Sequence, residues 1–439
     1  MSAPRIQAVQ TPRAAALQRT PQLDLLSPEA PFRLIETIGI TEAQKRAKQI
    51  DALRAEANLP PIALHQVNVA HQALQDDATD ISFLHHSFCS VGLPLRNQDK
   101  KDLKMWSRFD GDFSLTITPS FTTLPDGTKL HVGIPFGPKA RLISLYLATA
   151  VKEPGRDPND PYVHFGNIAA WFARMNIKLT GGEKGSITAV KEQLLRLTFA
   201  NWSMWKRHPR TATTAEAGNK SRPTDVILQS ERIIEAAIFD NDMLTAYARG
   251  EVSKVPWPET VALTQKALDR FRSQSVPVST PRLQQLTRSA SAMDLFLFLS
   301  YRLWRIPKGK VVTIPWQQLA NQFGEHREDN EYRREFRRAL CLALAAYPEA
   351  TSSVEIDDLY GLSLRYADPA VPRPLMVAVD NTRNQITTND AARSSPPAGV
   401  SPTPSNTRSP STAPRAKMQP RSKVLVAKPN GQFTLFEPK

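Results

Sequence analysis

The chain has 439 residues, long enough for two or three ordinary domains, and its 56 Lys and Arg against 42 Asp and Glu leave a formal net charge of +14. A surplus of that size points to a polyanionic partner, nucleic acid ahead of a membrane surface, because neutralising phosphates releases condensed counterions. Cys89 and Cys341 are too far apart for a disulfide framework or a cysteine-based zinc site and suit a reducing cytoplasm; the start Met1-Ser-Ala-Pro-Arg5 lacks the apolar region of a secretory signal, and no uninterrupted apolar run reaches the roughly 18 residues of a membrane span.

Residues 1–40, rich in Pro, Ala and Arg, read as a disordered N-terminal arm. Thr41 with Gln44 resembles a capping box, so a helix is expected over 42–57, within a helical or mixed extension spanning 41–110. Its second half, 60–110, shows no pattern that assigns elements. A first domain is expected over 111–250. Residues 113–118 alternate apolar and polar, Asp126-Gly127 signals a hairpin, and 129–134 form the returning strand. An apolar helix over 139–151 is stopped by Pro154, Pro158 and Pro161.

A short helix over 168–175, a turn at Thr180-Gly-Gly-Glu-Lys-Gly185 and a second helix over 186–197 come next. Ile187, Val190, Leu194 and Leu197 fall on one side of the second helix; Thr188, Lys191, Glu192 and Arg196 fall on the other. A strand over 199–205 runs into a basic loop with Lys206, Arg207, His208, Arg210, Lys220 and Arg222, and an apolar stretch returns over 226–239. Helix, turn, helix and basic hairpin is the order of a winged helix-turn-helix, whose second helix enters the major groove.

The order recurs over a second domain, 256–370. A helix is expected over 258–272, a core helix over 290–304, a strand over 310–314, a helix through Phe323 with Pro315 at its first position, and a helix over 332–347. On the last, Tyr332, Phe336, Ala339, Leu340, Ala343 and Tyr347 share a face. Arg333, Arg334, Arg337 and Arg338 lie beside it as two i,i+4 pairs, an arc of about 140°. Residues 354–356 and 362–366 complete a hairpin. The fold class expected is therefore α+β, with tandem winged-helix domains and disordered extensions at both ends. The tail, 371–439, is dominated by Ser, Thr, Pro, Ala and Asn, yet ends in an apolar cluster that reads as a docking peptide.

Several motifs, in order, resemble the plasmid-encoded RepA replication proteins of Gram-negative bacteria. They are Val132-Gly-Ile-Pro-Phe-Gly137, Ala140-Arg-Leu142, the Thr180-Gly-Gly182 turn leading to Gln193 and Arg196-Leu197, Ala292-Met-Asp-Leu295, Ser300-Tyr-Arg302, Ile314-Pro-Trp316, Gln322-Phe-Gly324, Phe336-Arg-Arg338 and Tyr347-Pro348. The resemblance covers about 110–370. It implies binding to repeated origin sites (iterons) and recruitment of host replication proteins, with no catalytic residues and no cofactor or metal. Expected partners are duplex origin DNA, the host sliding clamp, initiator and helicase, and a second copy of the chain in a homodimer; no membrane is expected. Gln432-Phe-Thr-Leu-Phe436 resembles the clamp-binding pentapeptide at Gln432, Leu435 and Phe436, and departs from it at Phe433 and Thr434. Gln22-Leu-Asp-Leu-Leu26 is a weaker match that departs at Leu26.

The candidate DNA contacts are Lys184, Ser186, Thr188, Lys191, Arg196, Lys206, Arg207, Arg210, Arg333, Arg334, Arg337 and Arg338. The plain alternative for the four arginines of 333–338 is a solvated face neutralised by Glu328, Asp329, Glu331 and Glu335. Trp202 and Trp205 could stack on bases, but strand alternation favours core packing for one of them. Gly181 to Ser186 lacks the spacing of a phosphate-binding loop. No His-x-His pair occurs among the eight histidines, so the metal site of a nicking initiator is not expected, and no enzyme motif stands out. The competing function is a sequence-specific transcription regulator of its own gene; a nonspecific structural nucleic-acid binder would have little use for two recognition helices.

Overall fold

The computed structural model describes residues 27–371, apart from 78, 100–104, 210–223, 238–240, 255–256, 258, 274 and 325–328, together with the strand segments 424–427 and 433–436. The first helix, α1 (Ala30–Glu56), starts well before the expected residue 42, inside the stretch read as disordered. Pro31 stands in its first turn and Phe32 is buried in the main core, which anchors it. Gly39 breaks the helix with φ 74°, so the capping pattern at Thr41 belongs to the restart after a kink. Helix α2 (Ala63–Gln75) packs on α1 through Ala43, Ala47, Ala63 and Val67, whose small side chains let the helices approach closely. The Asp51 carboxylate accepts from the amides of Ala63 at 2.8 Å and Leu64 at 3.0 Å, satisfying donors at the α2 N-terminus. The unassigned stretch 60–110 thus becomes α2, β1 (Ile81–His85), α3 (His86–Ser90) and β2 (Trp106–Phe109).

The first half of the main body continues with β3 (Phe113–Thr118), β4 (Ser120–Thr123) and β5 (Lys129–Val132), turning at Gly127 with φ 81°. Helix α4 (Gly137–Ala150) is buried on almost every side. Then come β6 (Tyr162–His164), α5 (Ile168–Arg174), α6 (Ser186–Phe199), β7 (Asn201–Pro209), β8 (Thr224–Glu231), β9 (Ile234–Ala237) and α7 (Asn241–Ala248). Along β7, Trp202 and Met204 are buried, while Trp205 is half-buried with its ring 5.2 Å from Phe109. The single helix expected over 258–272 is instead a strand, β10 (Thr260–Leu263), followed by α8 (Gln265–Arg272). Val261 and Leu263 alternate inward, β10 pairs with both β6 and β9, and Thr264 Oγ1 caps α8 by accepting from Ala267 N at 3.1 Å.

The second half contains β11 (Ser275–Ser279), α9 (Thr280–Gln284), α10 (Ala290–Arg302), β12 (Val312–Pro315), α11 (Trp316–Phe323), α12 (Asn330–Ala345), β13 (Val354–Asp357) and β14 (Gly361–Leu364). Pro315 occupies the N-cap of α11 rather than its first helical position. The sheets run β2–β3–β7–β8, β6–β10–β9, β12–β14–β13, and the pairs β1–β11 and β4–β5. The architecture is mixed helix and sheet. A continuous core runs from Phe32 to Ala370 through both halves.

Two buried polar clusters cross that core. Asp294 of α10 receives Arg141 of α4 in a bidentate pair, both contacts at 2.6 Å; Arg141 also donates to the carbonyls of Leu93, Pro94 and Gly137. Arg108 of β2 lies 3.6 Å from Asp294 and donates to Phe323 O at 2.9 Å. Arg282 likewise joins Asp76 and Glu349, each at 2.8 Å. The segment Thr382–Lys439 is a separate unit in which β15 (Val424–Ala427) pairs antiparallel with β16 (Phe433–Phe436). Among the described residues no helix is long and apolar enough to cross a membrane.

Candidate nucleic-acid interface

The α5–turn–α6 segment is shaped by side-chain hydrogen bonds. Asn167 caps α5, accepting from Ala169 N at 2.7 Å. Thr180 and Ser186 bridge the turn reciprocally: Thr180 N donates to Ser186 Oγ at 2.9 Å, and Ser186 N donates to Thr180 Oγ1 at 2.8 Å. Thr188 Oγ1 donates to Gly182 O at 2.7 Å. A Cβ at Gly185 would lie 2.4 Å from the carbonyls of Thr180 and Gly181, so the turn admits only glycine there. Ser186 and Thr188, both candidate DNA contacts by sequence, are therefore committed to the turn, and Thr188 is buried.

Arg196 requires the largest correction. It is 3% exposed, ion-paired to Asp99 and to Glu192 at 2.8 Å, and stacked with its guanidinium 5.1 Å from the Phe136 ring. It also donates to Ile134 O at 3.1 Å. Burial opposes its charge, but the Asp99 and Glu192 carboxylates more than compensate and hold its pKa above the ordinary arginine value. A guanidinium so enclosed cannot reach a phosphate. Glu192, on the same polar side, is occupied by Arg196. Lys184 is exposed beside the helix N-terminus and Lys191 is half-buried, with its pKa lowered by that burial. Lys206 and Arg207 are exposed on β7; Arg210, Lys220 and Arg222 lie outside the described residues.

In the second half, Asp329 caps α12, its carboxylate accepting from Tyr332 N at 2.6 Å. Tyr332, Phe336, Ala339, Leu340, Ala343 and Tyr347 are all buried. The four arginines separate into two pairs. Arg333 donates to Asp358 O at 2.9 Å, and Arg337 is ion-paired with the Asp358 carboxylate. Their guanidinium carbons lie 5.2 and 5.9 Å from the Trp316 ring. The Trp316 indole donates to the carbonyls of Asp357 at 3.0 Å and Asp358 at 3.1 Å. The β13–β14 turn is thus clasped against α11 and α12, and it holds Leu359 and Tyr360 out in solvent at 79% and 70% exposure. Arg334 is exposed and Arg338 half-exposed, without an ion pair among the described residues. Sequence reasoning missed Asp358, since nothing in its spacing signals that the hairpin folds back onto the helix.

Leu435 and Phe436 fall in β16, while Gln432 and the 22–26 segment lie outside the described residues. Among the described residues no group of three or more His, Cys, Asp or Glu side chains could hold a metal ion.

The segment from just before α4 into α11, under half of the chain, carries the family likeness. Residues 134–318 match the family model of plasmid-encoded RepA protein. The match contains the α5–turn–α6 segment and most of the motifs that carry the resemblance, and it ends inside α11. No curated protein matches the chain. The solved structures similar to this chain include "SeMet derivatives of domain2 and domain 3 of RctB" and "the RctB domains 2-3". The first has 10% identity and a TM-score of 0.34, covering 63% of this chain and 93% of that one; the second has 13% identity and a TM-score of 0.31, covering 61% and 83%. Superposition at that level leaves the arrangement of this chain to rest on its own geometry.

Proposed function

We propose that the protein is a non-enzymatic plasmid replication initiator of the RepA type, which binds repeated origin sequences through two winged-helix modules and recruits host replication proteins. The observation that carries this reading is the second half of the main body. Helix α10, strand β12, helices α11 and α12 and hairpin β13–β14 follow one another with sheet order β12–β14–β13, an order that supports the winged-helix reading. In that arrangement α12 is the helix offered to the major groove. The first module is less regular: its hairpin β7–β8 pairs with β3, while β6 pairs with β10. Its helix α6 would offer Lys184 and Lys191.

On α12 the contacts fall to Arg334 and Arg338, because Arg333 and Arg337 hold the acidic turn. The test is binding of an origin-repeat duplex by R334A/R338A and by R333A/R337A. The first variant is expected to lose at least tenfold in affinity and to discriminate poorly against random DNA, with its melting curve intact. Unchanged discrimination in R334A/R338A would remove α12 from the interface.

A further inference from the structure

The exposed segment between α10 and β12 is rich in cations that the recognition-helix reading does not use. Over 302–310 the sequence Arg-Leu-Trp-Arg-Ile-Pro-Lys-Gly-Lys buries Leu303 and Ile306 and leaves Arg302, Arg305, Lys308 and Lys310 exposed. Aromatic rings hold two of these cations. The Arg305 guanidinium lies 4.3 Å from the Tyr301 ring centroid and 4.1 Å from that of Trp304, and it donates to Tyr301 O. The Lys308 ammonium lies 5.1 Å from the Tyr366 ring. Charges held this way lose less side-chain freedom when they meet an anion.

The segment packs against the β1–α3 junction. Tyr301 neighbours His86 with ring centroids 5.8 Å apart, and His86 neighbours His85 at 4.3 Å. The four exposed cations of 302–310 thus form a short band on a firmly packed segment. It meets the second module away from the wing: Pro315 of β12 pairs with Gly361 beside the wing turn, whereas Val312, next to the band, pairs with Leu364. Two acids lie near it. Asp110, near Arg302, accepts from the amides of Asp112 and Phe113, and Asp368 accepts from the Tyr366 hydroxyl.

We propose that this band, Arg302, Arg305, Lys308 and Lys310, is a sequence-independent site for the phosphate backbone of duplex DNA. It rests on the DNA-binding reading above and adds a contact surface to it. Phosphate contacts of this kind fix register and bend without reading bases.

The test uses full-length R302A/R305A/K308A/K310A, with fluorescence anisotropy over a salt series on a random-sequence duplex and on a single-stranded oligonucleotide. The variant is expected to lose about tenfold or more in duplex affinity, and its log–log salt slope should fall by about two to four. Arg302→Lys/Arg305→Lys should retain the slope, which separates charge from damaged aromatic packing. Duplex affinity and slope equal to wild type would overturn the band. A loss confined to the single strand would overturn the duplex assignment. A wild-type protein that binds neither polymer would overturn the DNA-binding reading and the band together, whereas failure of the band alone appears as full binding by the variant.

Discussion

Asp294 sits 3% exposed between two arginines from different parts of the chain, Arg141 on α4 and Arg108 on β2. Removing the carboxylate would strand two buried guanidinium groups. Asp294→Ala is therefore expected to cost about 3–5 kcal/mol in urea unfolding. A loss below about 1 kcal/mol would mean that the backbone carbonyls of Leu93, Pro94 and Gly137 satisfy Arg141 alone. His85 offers a second check. Burial foremost, with the charges of His86, Arg270 and Lys206, pushes its pKa from 6.5 down to about 2. The fold thus holds it neutral, while the unfolded chain takes up a proton below pH 6.5. Its contribution to stability is complete above that pH and is lost as the pH falls from there toward about 2, at a slope of about 1.4 kcal/mol per unit. His65, shifted the same way by burial, adds to the effect. Urea midpoints at pH 7.5 and 5 should differ less in His85→Asn than in wild type; equal differences would remove His85 from the acid response.

At the scale of elements, legibility followed periodicity. Helices α4, α6, α10 and α12 and strand β3 announced themselves through apolar spacing, and each is present close to its expected place. The sequence was silent where pairing is remote. Strand β1 exists because it pairs with β11, His85 opposite Ser275, nearly two hundred residues away in the chain. Residues 260–263 read as helix because Val261 and Leu263 suit either period, and only β6 and β9 decide the matter. Among the site residues, position on a helix face was readable, but occupancy was not. Arg196 and Arg333 look like surface cations until Asp99 and Asp358 arrive from other elements. The terminal hairpin β15–β16 contains Leu435 and Phe436, and the docking reading of this segment is independent of the DNA contacts. Deleting residues 432–439 is expected to leave duplex binding unchanged and to abolish capture of a bacterial sliding clamp in surface plasmon resonance. Undiminished capture would place the clamp contact elsewhere or nowhere.

For the whole molecule, one continuous core underlies both the α5–α6 and the α11–α12 segments, so their spacing is set by the fold rather than by a loose linker. On the proposed reading, two modules held in register would suit DNA sites that recur at fixed intervals, and the net charge of +14 would supply attraction for any duplex. Charge gives affinity, whereas origin recognition requires a specificity ratio. The direct measurement is a competitive gel shift of the full-length protein on the DNA flanking its own gene, against excess random duplex at physiological salt. Discrete ladders that survive the competitor and map to a repeated sequence are expected of an initiator. Complexes that the competitor removes entirely would contradict sequence-specific binding, and a single resistant complex at the promoter, with no repeats, would contradict the initiator in favour of a regulator of its own gene.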